Sequence, residues 1–293
     1  MTFFLEQLII GLSSGGIYAI MALALVMIYK STGHVNLAQG EMAVFSTFIA
    51  WTLVQMGVPI WPAILLTVAV SFVGAIVLER VVVRPFAKAD DLVVVAVFVG
   101  LFLSIHSLAG VIWNYEVKPF PSAFSDGSIS LMDDLSIRAH TLGSLLTTGA
   151  VLTAVWFFFR YTRLGLALRA AADNHESSRL VGINVSVMLA LGWGLAAGIG
   201  AVAGVMIAPV TFLDPGMGLA PLIFALAGAL LGGITSPFGA ALGGLIVGVL
   251  EAMISAYVPY GIEFRELIAL MLILSVLLVR PAGLFGEVVT RRV

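Results

Sequence analysis

The chain has 293 residues, 61% of them hydrophobic and only 10% charged, with a net charge of −2 and a mean hydropathy of +1.13. Soluble domains carry roughly 45–50% apolar and about 25% charged residues, so a soluble fold is excluded and the surplus apolar surface must face lipid. Cysteine is absent, which excludes a disulfide framework, a thiolate metal site and a cysteine nucleophile.

A spanning helix needs about 20 predominantly apolar residues, whereas a transmembrane β-barrel shows alternating segments of about 10. The apolar runs here are continuous. They predict an all-α, polytopic transmembrane helical bundle with about 8–9 membrane segments. Candidates lie near 7–29, 37–56, 60–79, 92–113, 142–159, 186–208, 218–235, 240–257 and 264–279. The N-terminal MTFFLEQLIIGL has no Lys or Arg before its apolar run. A cleaved signal peptide carries a basic n-region, so the first run reads as a retained helix.

The segments at 37–56 and 218–235 begin with polar or glycine-rich sequence and read as broken or partly re-entrant helices. A polar break, STGHVNLAQGE, follows the first segment, and a second break, TFLDPGMG, follows 186–208. The first pair of segments starts outside and the second inside. That is the pattern of an inverted-topology repeat with interrupted helices near a substrate path.

Orientation follows from Lys and Arg, which accumulate on the cytoplasmic side. With the N-terminus outside and the C-terminus inside, Lys30, Arg80, Arg84, Lys88, Arg160, Arg163, Arg169, Arg179, Arg280, Arg291 and Arg292 fall inside. Only Lys118, Arg138 and Arg265 fall outside. Two connections are long. The outer one, about 114–141, is mixed and slightly acidic, with turn residues and a short alternating stretch. The inner one, about 160–185, is basic and rich in helix formers, which predicts one or two short cytoplasmic helices.

Thirteen of the 31 glycines lie between Gly194 and Gly248. Small-xxx-small spacings join Gly194 to Gly198, Gly200 to Gly204, Gly228 to Gly232, Gly239 to Gly243 and Gly244 to Gly248. Such spacing lets helix backbones approach closely in lipid. Packing within the chain is the plainer reading; a subunit interface or a thin-walled pathway is the functional one.

Polar groups at membrane depth are expensive unless they face protein or water. Asn36, Gln39 and Glu41 stand in the first break, His106 is mid-segment between Ser104 and Ser107, and Asp214 lies in the second break. These five are the candidate pathway residues. Asn36 and Gln39 also suit the plainer role of bonding freed backbone groups. Glu41 suits either a water-filled path or the start of the following helix, where its charge complements the dipole. No HExxH or Walker A sequence is present, and no Gly-Lys pair occurs. These residues give no reading of an enzyme site or a metal site.

Several motifs, in order and spacing, resemble the permease subunits of ABC importers for branched-chain amino acids, specifically the shorter, LivH-type subunit. They are Gly16-Ile17-Tyr18-Ala19, Asn36-Leu37-Ala38-Gln39-Gly40-Glu41, Arg84-Pro85 and Arg169-Ala170-Ala171-Ala172-Asp173-Asn174. Near the end stand Leu231-Gly232-Gly233-Ile234-Thr235-Ser236-Pro237-Phe238-Gly239-Ala240 and Arg280-Pro281-Ala282-Gly283-Leu284-Phe285-Gly286. The resemblance covers nearly the whole chain. It implies a single transmembrane permease domain over 1–293 in the bacterial inner membrane.

The resemblance gives the inner loop a meaning. Glu176-Ser177-Ser178, followed by Gly182, is similar to the EAA-x-x-x-G loop by which importer permeases dock on their ATPase, with serine in place of both alanines. The coupling element comprises Asp173, Asn174, Glu176, Ser177, Ser178, Arg179 and Gly182. The implied partners are a second, homologous permease, two cytoplasmic ATPase subunits that hold ATP and Mg, and an external solute-binding protein. The outer loop, through Asp126, Asp133 and Asp134, is either a dock for that binding protein or merely solvated. The implied solutes are branched-chain or other hydrophobic amino acids. The rivals are urea, short amides or another small solute on the same architecture, or a stand-alone secondary transporter or channel.

Overall fold

All nine apolar segments are helical. The computed structural model describes residues 2–125, 127–132 and 135–286. Among them are α1 (Thr2–Thr32), α2 (Gln39–Gln55), α3 (Ile60–Leu78), α4 (Asp91–Trp113) and α5 (Ala139–Tyr161). There follow α6 (Arg163–Asp173), α7 (His175–Leu180), α8 (Val185–Thr211), α9 (Leu219–Gly232), α10 (Pro237–Tyr257) and α11 (Gly261–Val279). Among the described residues, six stretches are long and apolar enough to cross a membrane: Thr2–Thr32, Ile60–Phe86, Asp91–Trp113, Ala139–Tyr161, Val185–Thr211 and Pro237–Tyr257. By contrast α2 has 17 residues and α9 has 14. At 1.5 Å per residue these reach about 26 and about 21 Å, short of a hydrocarbon core of about 30 Å.

The expectation of a wholly α-helical chain needs one correction. The outer connection carries a two-stranded antiparallel hairpin, β1 (Ser128–Met132) and β2 (Leu135–Arg138), pairing Ser128 with Arg138 and Ile129 with Ile137. Leu135 and Ile137 are buried while Ser136 and Arg138 are exposed, the period-two pattern of a strand. Asp126, Asp133 and Asp134, the acidic residues expected to face a binding protein, lie outside the described residues, as do Arg291 and Arg292.

The chain divides into two compact units. The first contains Met1–Val26, Phe124–Thr148 and Ala220–Val293. Glycine pairs bring its helices together. A Cβ on Gly244 would collide with the Ala19 backbone, and one on Gly248 with Gly15, so α1 and α10 touch backbone to backbone. On another face of α10, Gly243 and Gly244 meet Gly228 of α9, and Gly239 meets Gly232. The close of α9 is sealed by the C-terminal turn. Leu284 and Phe285 donate their backbone N–H groups to the Leu231 and Gly232 carbonyls at 2.8 and 2.9 Å. Those last-turn carbonyls would otherwise lack partners. Gly233 and Gly283, both with positive φ, allow this approach. Ser236 then caps α10 by accepting from the Gly239 N–H, with Pro237 at the first helical position.

The second unit contains Met27–Ala123 and Gly149–Leu219. Its centre is α8, which is packed against α2 and α3. Gly200 and Gly204 of α8 face Gln39, Ala43 and Thr47 of α2, whereas Gly194 and Gly198 face Phe72 and Val68 of α3. Helix α3 runs on into a π turn at Glu79–Val83 and a 3-10 turn at Arg84–Phe86. Pro85 lacks an amide hydrogen and cannot continue an α-helical ladder. Here Arg84 binds the buried Glu79 carboxylate at 2.6 Å and the Ser186 carbonyl at 3.0 Å, tying the end of α3 to the start of α8.

The two ends of this unit differ in chemistry. At one end Lys30 pairs with Asp173 and His34 with Asp91, each at 3.2 Å. At the other, Trp51 donates to the Pro119 carbonyl, Trp113 donates to Thr52, and Lys118 lies over the Trp51 ring. Lys118 and Leu213 there exchange two backbone hydrogen bonds.

Candidate functional site

Both helix interruptions fall within the second unit at the same place. After α1, Gly33 turns the chain with φ +75°. Asn36 then accepts the Ala38 N–H on its side-chain oxygen at 3.1 Å and starts the turn that opens α2. After α8, Phe212 takes φ +63°, and Asp214 accepts the Gly216 N–H at 2.7 Å. Gly218, at the end of that second break, lies against the Gly40 carbonyl in the first turn of α2, where a Cβ would stand 2.9 Å from the oxygen.

This first turn is deep in the unit. His34 contacts Asp91, the first residue of α4, whereas Glu41 contacts His106, fifteen residues further along that helix. Fifteen residues advance about 22 Å. The intervening chain and its long side chains cover that distance, and α2 therefore begins beyond the middle of α4.

The five expected pathway residues do not form one group. Asn36 is fully buried and engaged with its own backbone and, at 3.7 Å, with the Met42 sulfur. Gln39 turns towards α8, donating to the Ala196 carbonyl at 3.0 Å above Gly200. Its Oε1 is buried with no partner among the described residues. Gln39 thus joins α2 to α8, whereas Asn36 holds the turn that opens α2. Glu41 and His106 do meet: the carboxylate is 2% exposed and lies 3.3 Å from Nδ1 of an imidazole that is 32% exposed. Asp214 stands in the second break, which reaches the first turn of α2 through Gly218. The buried acid thus lies against a half-open histidine, in the turn that the second break touches.

Two aromatic neighbours of His106 escaped the sequence reading. Phe102 stacks parallel to the imidazole at 6.3 Å, and Tyr115 lies 5.9 Å away. Tyr115 folds back over Gly110, whose missing side chain leaves room for the ring. The signal was present: Phe102, His106 and Gly110 recur every four residues and so share a face of α4.

The inner connection forms the helices α6 and α7. Thr162 caps α6 by accepting from Gly165, and Asn174 caps α7 by accepting from Ser177 at 2.9 Å. Gly182, at φ +85°, ends α7. Its N–H reaches the Arg179 carbonyl and the Ile183 N–H reaches the Ser178 carbonyl, at 3.1 and 3.0 Å. This is a Schellman closure, which requires a left-handed residue after the helix. Ser178 faces inward, while Glu176, Ser177 and Arg179 are exposed. Leu180 and Val181 project furthest, at 89% and 75% exposure. Asp173 joins this element to α1 through Lys30.

Interrupted apolar helices that meet around buried polar side chains, with a capped helix pair beyond them, define a membrane permease. The chain belongs to the family described as branched-chain amino acid transport system / permease component, which matches residues 7–277. It is 31% identical to the high-affinity branched-chain amino acid transport system permease protein LivH of Escherichia coli K12, over 97% of this chain and 96% of that protein. It is 30% identical to the corresponding BraD of Pseudomonas aeruginosa, with the same coverage. The ribose import permease protein RbsC of Escherichia coli K12 is 24% identical over 86% of this chain and 76% of its own. Among solved structures, PsaBC from Streptococcus pneumoniae in complex with Fab has a TM-score of 0.51 at 14% identity, covering 93% of this chain and 91% of that one. That last likeness concerns fold alone.

Proposed function

We propose that this chain is the membrane-embedded permease subunit of an ATP-driven importer for branched-chain or other hydrophobic amino acids in the bacterial inner membrane. The family match over residues 7–277 carries the reading. The chain works as one permease domain with its N-terminus outside and its C-terminus inside, beside a second, homologous permease. Separate ATPase subunits hold ATP and Mg, and an external binding protein delivers the solute.

Two features of the second unit support this orientation and mechanism. Its end bearing Lys30, Arg84 and Asp173 holds the α6–α7 pair, which suits the basic cytoplasmic side. The exposed Leu180 and Val181 on a helix capped at both ends form an apolar knob, 89% and 75% exposed, fit for a cleft on an ATPase. Exposed apolar residues clustered this way mark interaction sites. The solute route passes the contact of the two interruptions, near Glu41, His106 and Asp214. Their meeting supports an inverted-topology repeat, in which the substrate site lies between interrupted helices.

The test is recovery of the tagged chain from its native membrane in mild detergent, followed by mass spectrometry and by uptake assays in vesicles. A Walker A ATPase and a second permease should co-purify, and labelled leucine uptake should require ATP. Uptake that survives ATP depletion and collapses with an uncoupler would replace this reading with a secondary transporter. ATP-dependent uptake of ribose or urea in place of leucine would keep the importer and change its solute.

A further inference from the structure

We propose that Glu41 and His106 form a station for the charged end of a zwitterionic solute, with the Glu41 carboxylate receiving the α-ammonium group. This rests on the importer reading and adds a ligand chemistry to its route.

A carboxylate that is 2% exposed, in the first turn of a helix beginning deep among apolar helices, requires a compensating partner. Among the described residues its hydrogen-bonding partner is Nδ1 of His106. At 3.3 Å that contact is longer than the roughly 2.7–2.9 Å of a strong charge-assisted bond. The pair is therefore loose enough for a better donor to intervene. An α-ammonium group offers three N–H donors and a full positive charge. Neutral amides and sugars offer no charge to a buried carboxylate, so the geometry favours an ammonium-bearing solute over either.

The imidazole supplies the complement. His106 is 32% exposed, and among the described residues its Nε2 has no hydrogen-bond partner. Once the ammonium has taken over the Glu41 carboxylate, Nδ1 is released, and the ring in its Nε2–H tautomer donates to the solute carboxylate. Phe102 and Tyr115 flank the ring and confine it. Gly218 lies against the Gly40 carbonyl and the Val44 side chain, so the second break rests directly on the first turn of α2. A movement of either break thus acts directly on the turn that carries Glu41.

The experiment uses the whole importer in proteoliposomes, measuring labelled L-leucine imported per ATP hydrolysed, with the binding protein present. Because the binding protein presents the solute, loss of the station should lower turnover and leave its stimulation of ATP hydrolysis intact. Glu41→Gln and His106→Gln should each cut leucine imported per ATP about tenfold, the scale of one charge-assisted bond. Glu41→Asp should restore part of it. Unchanged import per ATP in both variants would overturn the station and leave the importer reading standing. Equal loss of ATP hydrolysis and import in both would also overturn it, by making the pair a structural clamp. A wild-type complex that hydrolyses ATP and imports no leucine would instead overturn the importer reading, and the station with it.

Discussion

Gly218 rests on the carbonyl of Gly40, so the break that follows α8 is seated on the first turn of α2. A side chain at Gly218 would part the two interruptions. Because α2 also leans on the glycines of α8, this contact ties the depth of Glu41 to the end of α8. The predictions below separate what holds this arrangement from what it works on.

Asn36 and Glu41 are five residues apart and both buried, but they should respond differently. Asn36→Ala removes the oxygen that accepts the Ala38 N–H at 3.1 Å. It should lower the stability of the purified chain by about 1–3 kcal/mol, the cost of leaving a buried N–H without a partner. Thermal unfolding in detergent should register that loss, with leucine import per folded complex unchanged. Import that falls with no thermal shift would give Asn36 a place in the route.

Gly182 tests conformation in isolation from crowding. Its φ is +85°, and a Cβ there would meet nothing within 4 Å. Gly182→Val should undo the closure of α7 and abolish ATP-coupled uptake, since a left-handed β-branched residue costs upwards of about 1–2 kcal/mol. Gly182→Asn should retain most uptake, because Asn tolerates that region. Equal activity of the two variants would remove the turn from the coupling mechanism.

The knob on α7 can be probed without disturbing the fold. Leu180→Asp changes a residue that is 89% exposed, so the yield of folded chain should not alter. The ATPase should fail to co-purify, or do so at least tenfold less, if this apolar tip is the dock. Glu176→Lys, an exposed change of charge on the same helix, should weaken the coupling of uptake to ATP in the same assay. Normal co-purification and uptake in both would move the ATPase site elsewhere.

In the first unit, Gly244 faces Ala19 on one side and Gly228 on the other, backbone against backbone. Gly244→Leu should force the helices apart and cost at least about 1–3 kcal/mol, the usual price of overpacking. The thermal midpoint in detergent should fall, and the folded fraction at growth temperature should drop. A midpoint within a degree of the wild type would mean that this approach is dispensable.

The helices were legible because their signals are local. Continuous apolar runs, Pro85 after α3, the Ser236-Pro237 start of α10 and the glycines that close α7 and α9 each act within a few residues. The outer hairpin was half legible: its alternation was visible in Leu135, Ser136, Ile137 and Arg138, but the helical bias of the rest of the chain hid its meaning. Tyr115 folds back onto Gly110, beside His106. No feature adjacent to Tyr115 announces that.

Sequence alone determined that this chain lives in a membrane, that its helices pack through small residues, and that two of its spans are interrupted. Composition and short-range spacing suffice for those conclusions, because lipid demands apolar surface and satisfied backbone whatever the partner helices do. Tertiary structure decided which of the polar residues meet. Glu41 and His106 are 65 residues apart, and Gly218 and Gly40 further still. Asn36 and Gln39 carry the same polar signature as Glu41 in the same break, yet they point into their own turn and into α8. The choice among them depends on how α2, α4 and α8 settle against one another, and that is fixed by long-range packing that no local spacing encodes.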